Sequence, residues 1–483
     1  MGLAQAITFI LHFGSSVVLA RYLTPTEMGV FAVGLATIAM LALLQTFGLQ
    51  PLIVREKTLT PALTNTVFTV NAASGVLQAA TTFLFAFVGA KFLRNEGVKD
   101  ILMVLSVVPL FTIFSFMPGS MLEREGRFKI VAIIGTLVSV VGSAATITFA
   151  IMGYKYMSLA YANILGAMTL SGALMIAGRK DLRVKFGLSE WRHVFRFGAQ
   201  MFAYTGVVNF STRFNEIMLG RIAGLEALGL YNRASGINNM LWGNIHYLAS
   251  RVMLAEFAAK HRSDTPLRDR YIQTASVLTA VLWPGFAGLA VLAEPFIYLV
   301  YGPRWVPAAL PLIYLTIASI VLVAMTMSWE LFAVTGNVAK QTRLEIVRTC
   351  ISTPLFIGAC FVSIEAAAIT RIIDAVIAYV IYRPHLERMS GTKFQDFIGV
   401  YSQGALLTFV AILPAGTLAW LSQGDKPEFL MVALAVTSGI ALWAVTLFQL
   451  DHPLKHGMVA VLKKLSLRFA RTRSSEEARI DLD

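Results

Sequence analysis

Arg213 with Glu216, Arg371 with Asp374, and Glu330 lie inside long apolar runs, where a charge is expensive. Each ionisable side chain at the centre of a bilayer costs about 2.5–3.5 kcal/mol on insertion scales, so none of them is expected to face lipid. The i, i+3 spacing of both pairs admits two uses. The partners can neutralise each other on one helix face, or they can line a water-filled cavity and meet a charged substrate or a coupling ion. Amides accompany them: Asn209 and Asn215 beside Arg213, Asn71 in an earlier run, and Asn238, Asn239 and Asn244 in a run that also holds His246 and Arg251. Amide donors and acceptors suit sugar hydroxyls and serve equally well as hydrogen-bond glue between helices. His12 stands alone and is expected to be a packing residue.

Enzymatic chemistry finds little support. The sequence holds no GxxxxGK[ST] phosphate loop and no HExxH, CxxC or GxSxG motif. His452 and His456 at i, i+4 lack a third ligand, and Asp481 and Asp483 stand at the extreme C-terminus. Cys350 and Cys360 are separated by about 15 Å of helix and cannot pair. No cofactor and no metal site is expected, and the chain is read as a non-enzyme.

The elements that must hold these residues are membrane spans. The 483 residues are 57% hydrophobic and only 14% charged, against about 25% charged in soluble domains. Apolar runs long enough for a ~30 Å hydrocarbon core fall near 3–20, 28–49, 66–90, 100–117, 130–152, 157–178, 197–219, 236–254, 271–293, 307–334, 344–362, 364–382, 402–421 and 428–450. The reading is therefore an all-α polytopic membrane protein with about fourteen transmembrane helices. The first run lacks a charged leader and is followed by Arg21 where a signal peptide would have small residues, so it is read as a retained span. The least marked division is at Ser363 and Glu365.

Orientation follows from the connections. With both termini in the cytoplasm, 28 of the 40 Lys and Arg residues fall in inside segments, and the other side holds nine: Arg21, Lys91, Arg94, Lys99, Lys155, Arg221, Arg233, Arg304 and Lys426. The net charge of +13 is then topogenic, directed at anionic lipid, and no nucleic-acid partner is needed to explain it.

Internal repetition supplies the architecture. RYLTPTEMGVF (21–31) and GRIAGLEALGLY (220–231) align with a shift of 200 residues, which brings Arg21 onto Arg221 and Gly29 onto Gly229. Both segments follow an odd-numbered span. A match six spans apart keeps the same orientation and implies two parallel six-helix lobes related by an axis along the membrane normal. The expected organisation is an N-lobe over 1–178, a cytoplasmic amphipathic linker over 179–196, a C-lobe over 197–382, two additional spans over 383–450 and a basic cytoplasmic tail over 451–483. Trp191, Phe195 and Phe197 interleaved with Arg192, His193 and Arg196 predict an interfacial helix over 183–197.

Five segments carry a family resemblance: ARYLTPTEMGVFAV (20–33), QTFGLQPLIVRE (45–56), MLEREGRFK (121–129), FNEIMLGRIAGLEALGLYNRA (214–234) and VYGPRWVPAALPL (300–312). With them the sequence resembles the Wzx-type polysaccharide flippases of the multidrug/oligosaccharidyl-lipid/polysaccharide exporter superfamily. The resemblance implies two lobes rocking about a central cavity in the bacterial plasma (inner) membrane. It implies flipping of an undecaprenyl-diphosphate-linked oligosaccharide from the cytoplasmic to the outer leaflet for exopolysaccharide, capsule or O-antigen assembly. The partners would be that lipid-linked oligosaccharide, membrane lipids, and the polysaccharide polymerase and glycosyltransferases of the same pathway. Arg213 would meet the diphosphate and the amide-bearing helices the sugars, and Glu216 leaves a role for H+ or Na+ as coupling ion open. Such proteins usually carry a cytoplasmic stretch before the first span, so the completeness of the start is left open. A drug/cation antiporter and a lipid II flippase are the rivals within the same fold; a membrane polymerase or ligase would need a larger outer loop.

Overall fold

The computed structural model describes residues 2–42, 49–56, 58–178, 185–263, 265–422, 428–450 and 452–455, and among them there are helices and connections but no strand. Helices α1 (Gly2–Tyr22), α2 (Pro25–Leu41), α3 (Leu49–Arg55), α4 (Pro61–Leu93), α5 (Glu96–Leu105), α6 (Val108–Arg124), α7 (Phe128–Ile151) and α8 (Met157–Ala177) precede the linker. After it come α9 (Trp191–Ile222), α10 (Leu225–Arg262), α11 (Arg268–Val291), α12 (Ala293–Tyr301), α13 (Ala309–Val323), α14 (Ser328–Val334), α15 (Val338–Cys360), α16 (Ile364–Ser390), α17 (Ile398–Leu421) and α18 (Phe429–Gln449). Every apolar run predicted from the sequence overlaps one or more of these helices, and the run over 28–49 includes residues 43–48, which lie outside the described residues.

Eight helical stretches among the described residues are long and apolar enough to cross a membrane, and the apolar parts of α1 and α2 are shorter. Four long helices, α9, α10, α15 and α16, do not meet that apolarity because they carry charged or amide residues, those singled out above on α9, α10 and α16 and Arg343, Glu345 and Arg348 on α15. For those four, crossing rests on length, since about 20 residues span the hydrocarbon.

Helix starts follow ordinary local chemistry. The Thr24 hydroxyl accepts from the Glu27 N–H at 3.2 Å while the Glu27 carboxylate accepts from the Thr24 N–H at 2.9 Å, a capping box with Pro25 at the first helical position. Thr60 and Pro61 open α4 in the same way. The Ser363 hydroxyl accepts from the Ala366 N–H at 3.0 Å and fixes the division between α15 and α16 that the sequence marked so weakly.

α4 runs for 33 residues, and its two faces are inverted relative to a soluble helix. Asn71, Ser74, Gln78 and Thr82 are buried, whereas Val76, Leu77, Phe83, Leu84, Phe87 and Val88 are exposed, as expected where hydrocarbon is the solvent. Its N-terminal turns also seat the linker. Asn65 Oδ1 accepts from the Lys185 N–H, the Thr69 hydroxyl from Gly187 and the Thr66 hydroxyl from Glu190, so backbone groups with no helical partner are satisfied by one face of α4.

Two features depart from the sequence reading. The linker does not form a separate helix over 183–197: residues 185–188 are non-helical, and from Trp191 the chain runs into α9 without a break. No proline interrupts 191–222, and the isolated glycines Gly198, Gly206 and Gly220 are too weak as breakers to stop a 32-residue helix. Residues 179–184 of the linker, and the tail beyond Lys455 with His456, Asp481 and Asp483, lie outside the described residues. The second departure is Arg233, counted above with an outer connection. It sits within α10, 7% exposed.

Two compact units are distinguished. The first comprises Met1–Ser235, Ile297–Pro311 and Thr342–Thr370, with its apolar clusters around Leu52, Ile53, Leu63 and Val67 and around Leu122, Ile134 and Leu174. The second comprises Gly236–Phe296, Leu312–Gln341 and Arg371–Asp483, and there Ala280, Leu407 and Leu447 pack together, with the Trp443 indole N–H on the Ala280 carbonyl. Packing groups the chain this way, whereas the expected lobes follow its internal repetition.

Candidate functional site

The repeated loops come together inside the first unit. A methyl group placed on Gly29 would lie 1.7 Å from the Leu225 carbonyl oxygen and 3.2 Å from the Gly229 nitrogen; one placed on Gly229 would lie 1.9 Å from the Pro25 carbonyl oxygen and 3.1 Å from the Gly29 nitrogen. Pro25 and Leu225 are themselves related by the 200-residue shift. The first turns of α2 and α10 therefore cross with their backbones in contact, in a reciprocal pattern expected about a two-fold axis. The two arginines of the repeat do different work. Arg21 donates from Nη2 to the Leu299 carbonyl at 3.2 Å, while Arg221 lies over the Phe92 ring at 5.4 Å.

Arg213 and Glu216 form an ion pair on α9. Arg213 Nη1 donates to Glu216 Oε2 at 2.9 Å and to Oε1 at 3.2 Å, and the side chains keep 35% and 16% of their exposure. Gly220 lies two turns further along the same face of α9, and there a methyl would meet Val33 Cγ2 of α2 at 3.0 Å. Arg213 thus shares the face of α9 that α2 packs on. α4 packs on both α2 and α9, and its Gln78 amide reaches the Ile38 carbonyl of α2 at 3.4 Å. The opposite face of α9 is tied by Ser211 to Thr353 of α15 at 2.9 Å. Asn215 is 6% exposed and its Oδ1 has no partner among the described residues; the same is true of Asn71 Nδ2 on α4, 3% exposed. Asn209 is held in interactions of its own. Arg213, Glu216, Asn209 and Asn71 all belong to the first unit.

The remaining predicted residues belong to the second unit. Four of its side chains line up at four-residue intervals on α10. Asn238 Oδ1 accepts from the Ser319 hydroxyl of α13 at 3.1 Å. Trp242 stacks on His246 at 5.3 Å and on Phe286 of α11 at 6.2 Å. Ser250, one turn beyond His246, donates to Glu330 Oε1. Asn238 is accordingly helix glue, and Asn239 on the neighbouring face is exposed. The Asn244 side chain lies outside the described residues. Glu330 is 1% exposed, with its second carboxylate oxygen unpartnered among the described residues. It stands on α14 just past a break at Ala324–Met327, where Met327 has φ 60°. Arg371 and Asp374 pair at 3.3 Å within α16.

Trp242 and Ser250 were missed in the sequence, although their four-residue spacing from Asn238 and His246 was the available signal. Arg348, paired with Glu345 at 3.2 Å on α15, repeats the i, i+3 pattern of Arg213 and was passed over as a span residue.

The polysaccharide biosynthesis protein family matches residues 18–310, which take in the paired glycines, the Arg213–Glu216 pair and the Trp242 stripe. The chain belongs to this family. Curated relatives include the lipopolysaccharide biosynthesis protein WzxC of Escherichia coli (strain K12), 25% identical over 63% of this chain and 62% of that one. An uncharacterized membrane protein in the cps region of Klebsiella pneumoniae is 21% identical over 96% of this chain and 97% of its own length. The succinoglycan biosynthesis transport protein ExoT of Rhizobium meliloti (strain 1021) is 25% identical over 63% of this chain and 61% of that one. The chain thus aligns with about three fifths of WzxC and ExoT. Among solved structures, the lipid II flippase MurJ in an inward closed conformation superposes with a TM-score of 0.77 at 14% identity, covering 92% of this chain and 97% of that one. A multidrug resistance MATE family transporter of the MOP superfamily, inward-facing, gives 0.61 at 13% identity over 80% and 96%. The all-α transporter fold expected from the sequence is therefore the observed one.

Proposed function

We propose that this member of the family is a flippase that carries an undecaprenyl-diphosphate-linked oligosaccharide from the cytoplasmic to the outer leaflet of the bacterial plasma membrane, by alternating access of two lobes. The observation that carries the reading is the partly exposed Arg213–Glu216 pair on a helix long enough to span the membrane. A guanidinium kept partly open at membrane depth is costly unless something anionic uses it. Only Nη1 is engaged with Glu216, so a phosphate can take the free donors and then displace the carboxylate, forming charge-assisted bonds in a poorly solvated place. Glu216, released, is the group that takes up H+ or Na+ as the coupling ion. The named relatives bear the names of different surface polymers, which makes the lipid-borne diphosphate the common feature for Arg213 to recognise.

Both termini face the cytoplasm in this reading, the protein acts without covalent chemistry, and glycosyltransferases and a polymerase stand before and after it in the same pathway. A deletion strain is expected to accumulate the undecaprenyl-diphosphate oligosaccharide on the cytoplasmic leaflet and to lose its surface polysaccharide, with both effects reversed by the intact gene. Arg213→Ala is expected to insert normally and to export at least ~10-fold less, the factor that corresponds to about 1.4 kcal/mol. An unchanged surface glycan together with sensitivity to cationic drugs would replace this reading with that of an antiporter.

A further inference from the structure

Among the described residues, Arg233 is the most deeply buried arginine of the first unit that lacks a carboxylate. Its guanidinium carbon lies 4.6 Å from the centroid of the Tyr301 ring and 4.6 Å from that of Trp305. Both rings are almost fully buried. Trp305 is fixed by its indole N–H on the Ala20 carbonyl of α1 at 2.9 Å, and Tyr301 ends α12 just before Gly302 turns the chain at φ 96°. Nη1 donates to the Ser16 hydroxyl of α1.

The other edge of the guanidinium is unused. Nε and Nη2 are buried, and neither has a hydrogen-bond partner among the described residues. These two N–H groups form the parallel fork that binds one carboxylate or phosphate in bidentate fashion. Two ring faces return only part of the hydration that a buried guanidinium loses. The cation is thus held planar and buried between two rings, and the described residues give its anion-binding edge no partner.

By the distribution of Lys and Arg, this cluster lies at the outer end of the helices, the side to which Arg21, Arg221 and Arg304 are also assigned. It is buried in this structure, and α2 and α10 cross in backbone contact at Gly29 and Gly229 one helical turn from Arg233. We propose that the Nε/Nη2 fork of Arg233 is a second phosphate site, exposed when that crossing separates, on which the lipid-linked diphosphate docks before it leaves on the outer side. The proposal rests on the flippase reading above. Arg213 receives the anion; Arg233 is the station from which it departs.

The test uses the full-length protein in phosphatidylcholine nanodiscs and measures binding of undecaprenyl diphosphate. Gly29→Ala puts a methyl against a backbone carbonyl that cannot yield, so it disfavours the closed crossing. It is expected to bind on the order of tenfold more tightly than the unaltered protein, as one added charged hydrogen bond would give. Arg233→Lys keeps the charge between the rings but has no fork, and in the double variant the gain should vanish. A gain that survives Arg233→Lys overturns the site. Gly229→Ala meets the same obstacle from the other side and replaces Gly29→Ala should the latter fail to insert. With the crossing unaltered, Arg233→Lys should lower glycan export at an unchanged thermal midpoint; unaltered export also overturns the site. Replacing the lipid with phosphatidylglycerol separates the sources of phosphate: if the gain is then lost, the fork takes ordinary headgroups and the substrate assignment falls. Binding that depends on Arg213 but not on Arg233 rejects this site and leaves the flippase reading standing, whereas no binding in any variant rejects both.

Discussion

His452 shows how one side chain can fix a protonation state by geometry alone. Its Nδ1 accepts from the Leu454 N–H at 3.2 Å, so the proton of the neutral ring must be on Nε2, which donates to the Ser276 hydroxyl of α11 at 2.8 Å. An imidazolium would set two N–H groups against each other at Nδ1. The residue is 1% exposed, and burial lowers its pKa below the ordinary histidine value. A histidine whose folded pKa is depressed stabilises the folded state above the unfolded value of about 6.5, and that contribution is lost as pH falls toward the folded value. The thermal midpoint of the detergent-solubilised protein is expected to fall as the pH drops below about 6.5, and His452→Gln should flatten that part of the profile. An identical slope in the variant would assign the pH dependence elsewhere. Little of this was legible in the sequence, where His452 and His456 offered only an i, i+4 spacing, because the partner Ser276 is brought in from another helix.

At the scale of elements, the crossing of α2 and α10 was the most legible feature. The 200-residue repeat placed Gly29 on Gly229, and a glycine is demanded at both positions because each faces a backbone carbonyl of the other helix. Gly29→Ala is expected to cost about 1–3 kcal/mol of the closed arrangement, the range for overpacking. Hydrogen–deuterium exchange over residues 25–31 and 225–231 should rise together, and a rise confined to one segment would contradict the reciprocal contact. Other elements could not be read so well. The break at Ala324–Met327 contains neither glycine nor proline, and Met327 takes a left-handed conformation that its residue type does not announce. The 100–117 and 307–334 runs each read as one span because apolarity marks the environment of a segment and says nothing of where its hydrogen-bond ladder stops. For the same reason the linker was given its own helix, although its composition change lies on the surface of a helix that continues.

For the molecule as a whole, the charged and polar residues of the spans are distributed so that Arg213, Glu216 and Asn71 lie in one compact unit and Asn238, His246, Glu330, Arg371 and Asp374 in the other. Sequence spacing found these residues because a charge in an apolar run is rare; it could not sort them, since the units are assembled from three separate stretches of chain each. Orientation is open to direct test. A phosphatase reporter fused in the connection before Glu428 is expected to be active outside the cytoplasm, and one fused after Lys455 inactive; the reverse pattern would invert every inside and outside assignment made from the Lys and Arg distribution.

The Gly29–Gly229 contact also has a genetic consequence. Any missense change in a glycine codon adds at least one carbon to the side chain, and at these two positions even that carbon meets a carbonyl from the facing helix. Neither codon can rescue the other, because each obstacle is main chain and is present whatever the partner encodes. After an ancestral duplication the two copies would have been free to diverge nearly everywhere else, as Arg21 and Arg221 have in what they touch. In a saturation-mutagenesis selection for surface polysaccharide, positions 29 and 229 should therefore appear as a matched pair of empty columns.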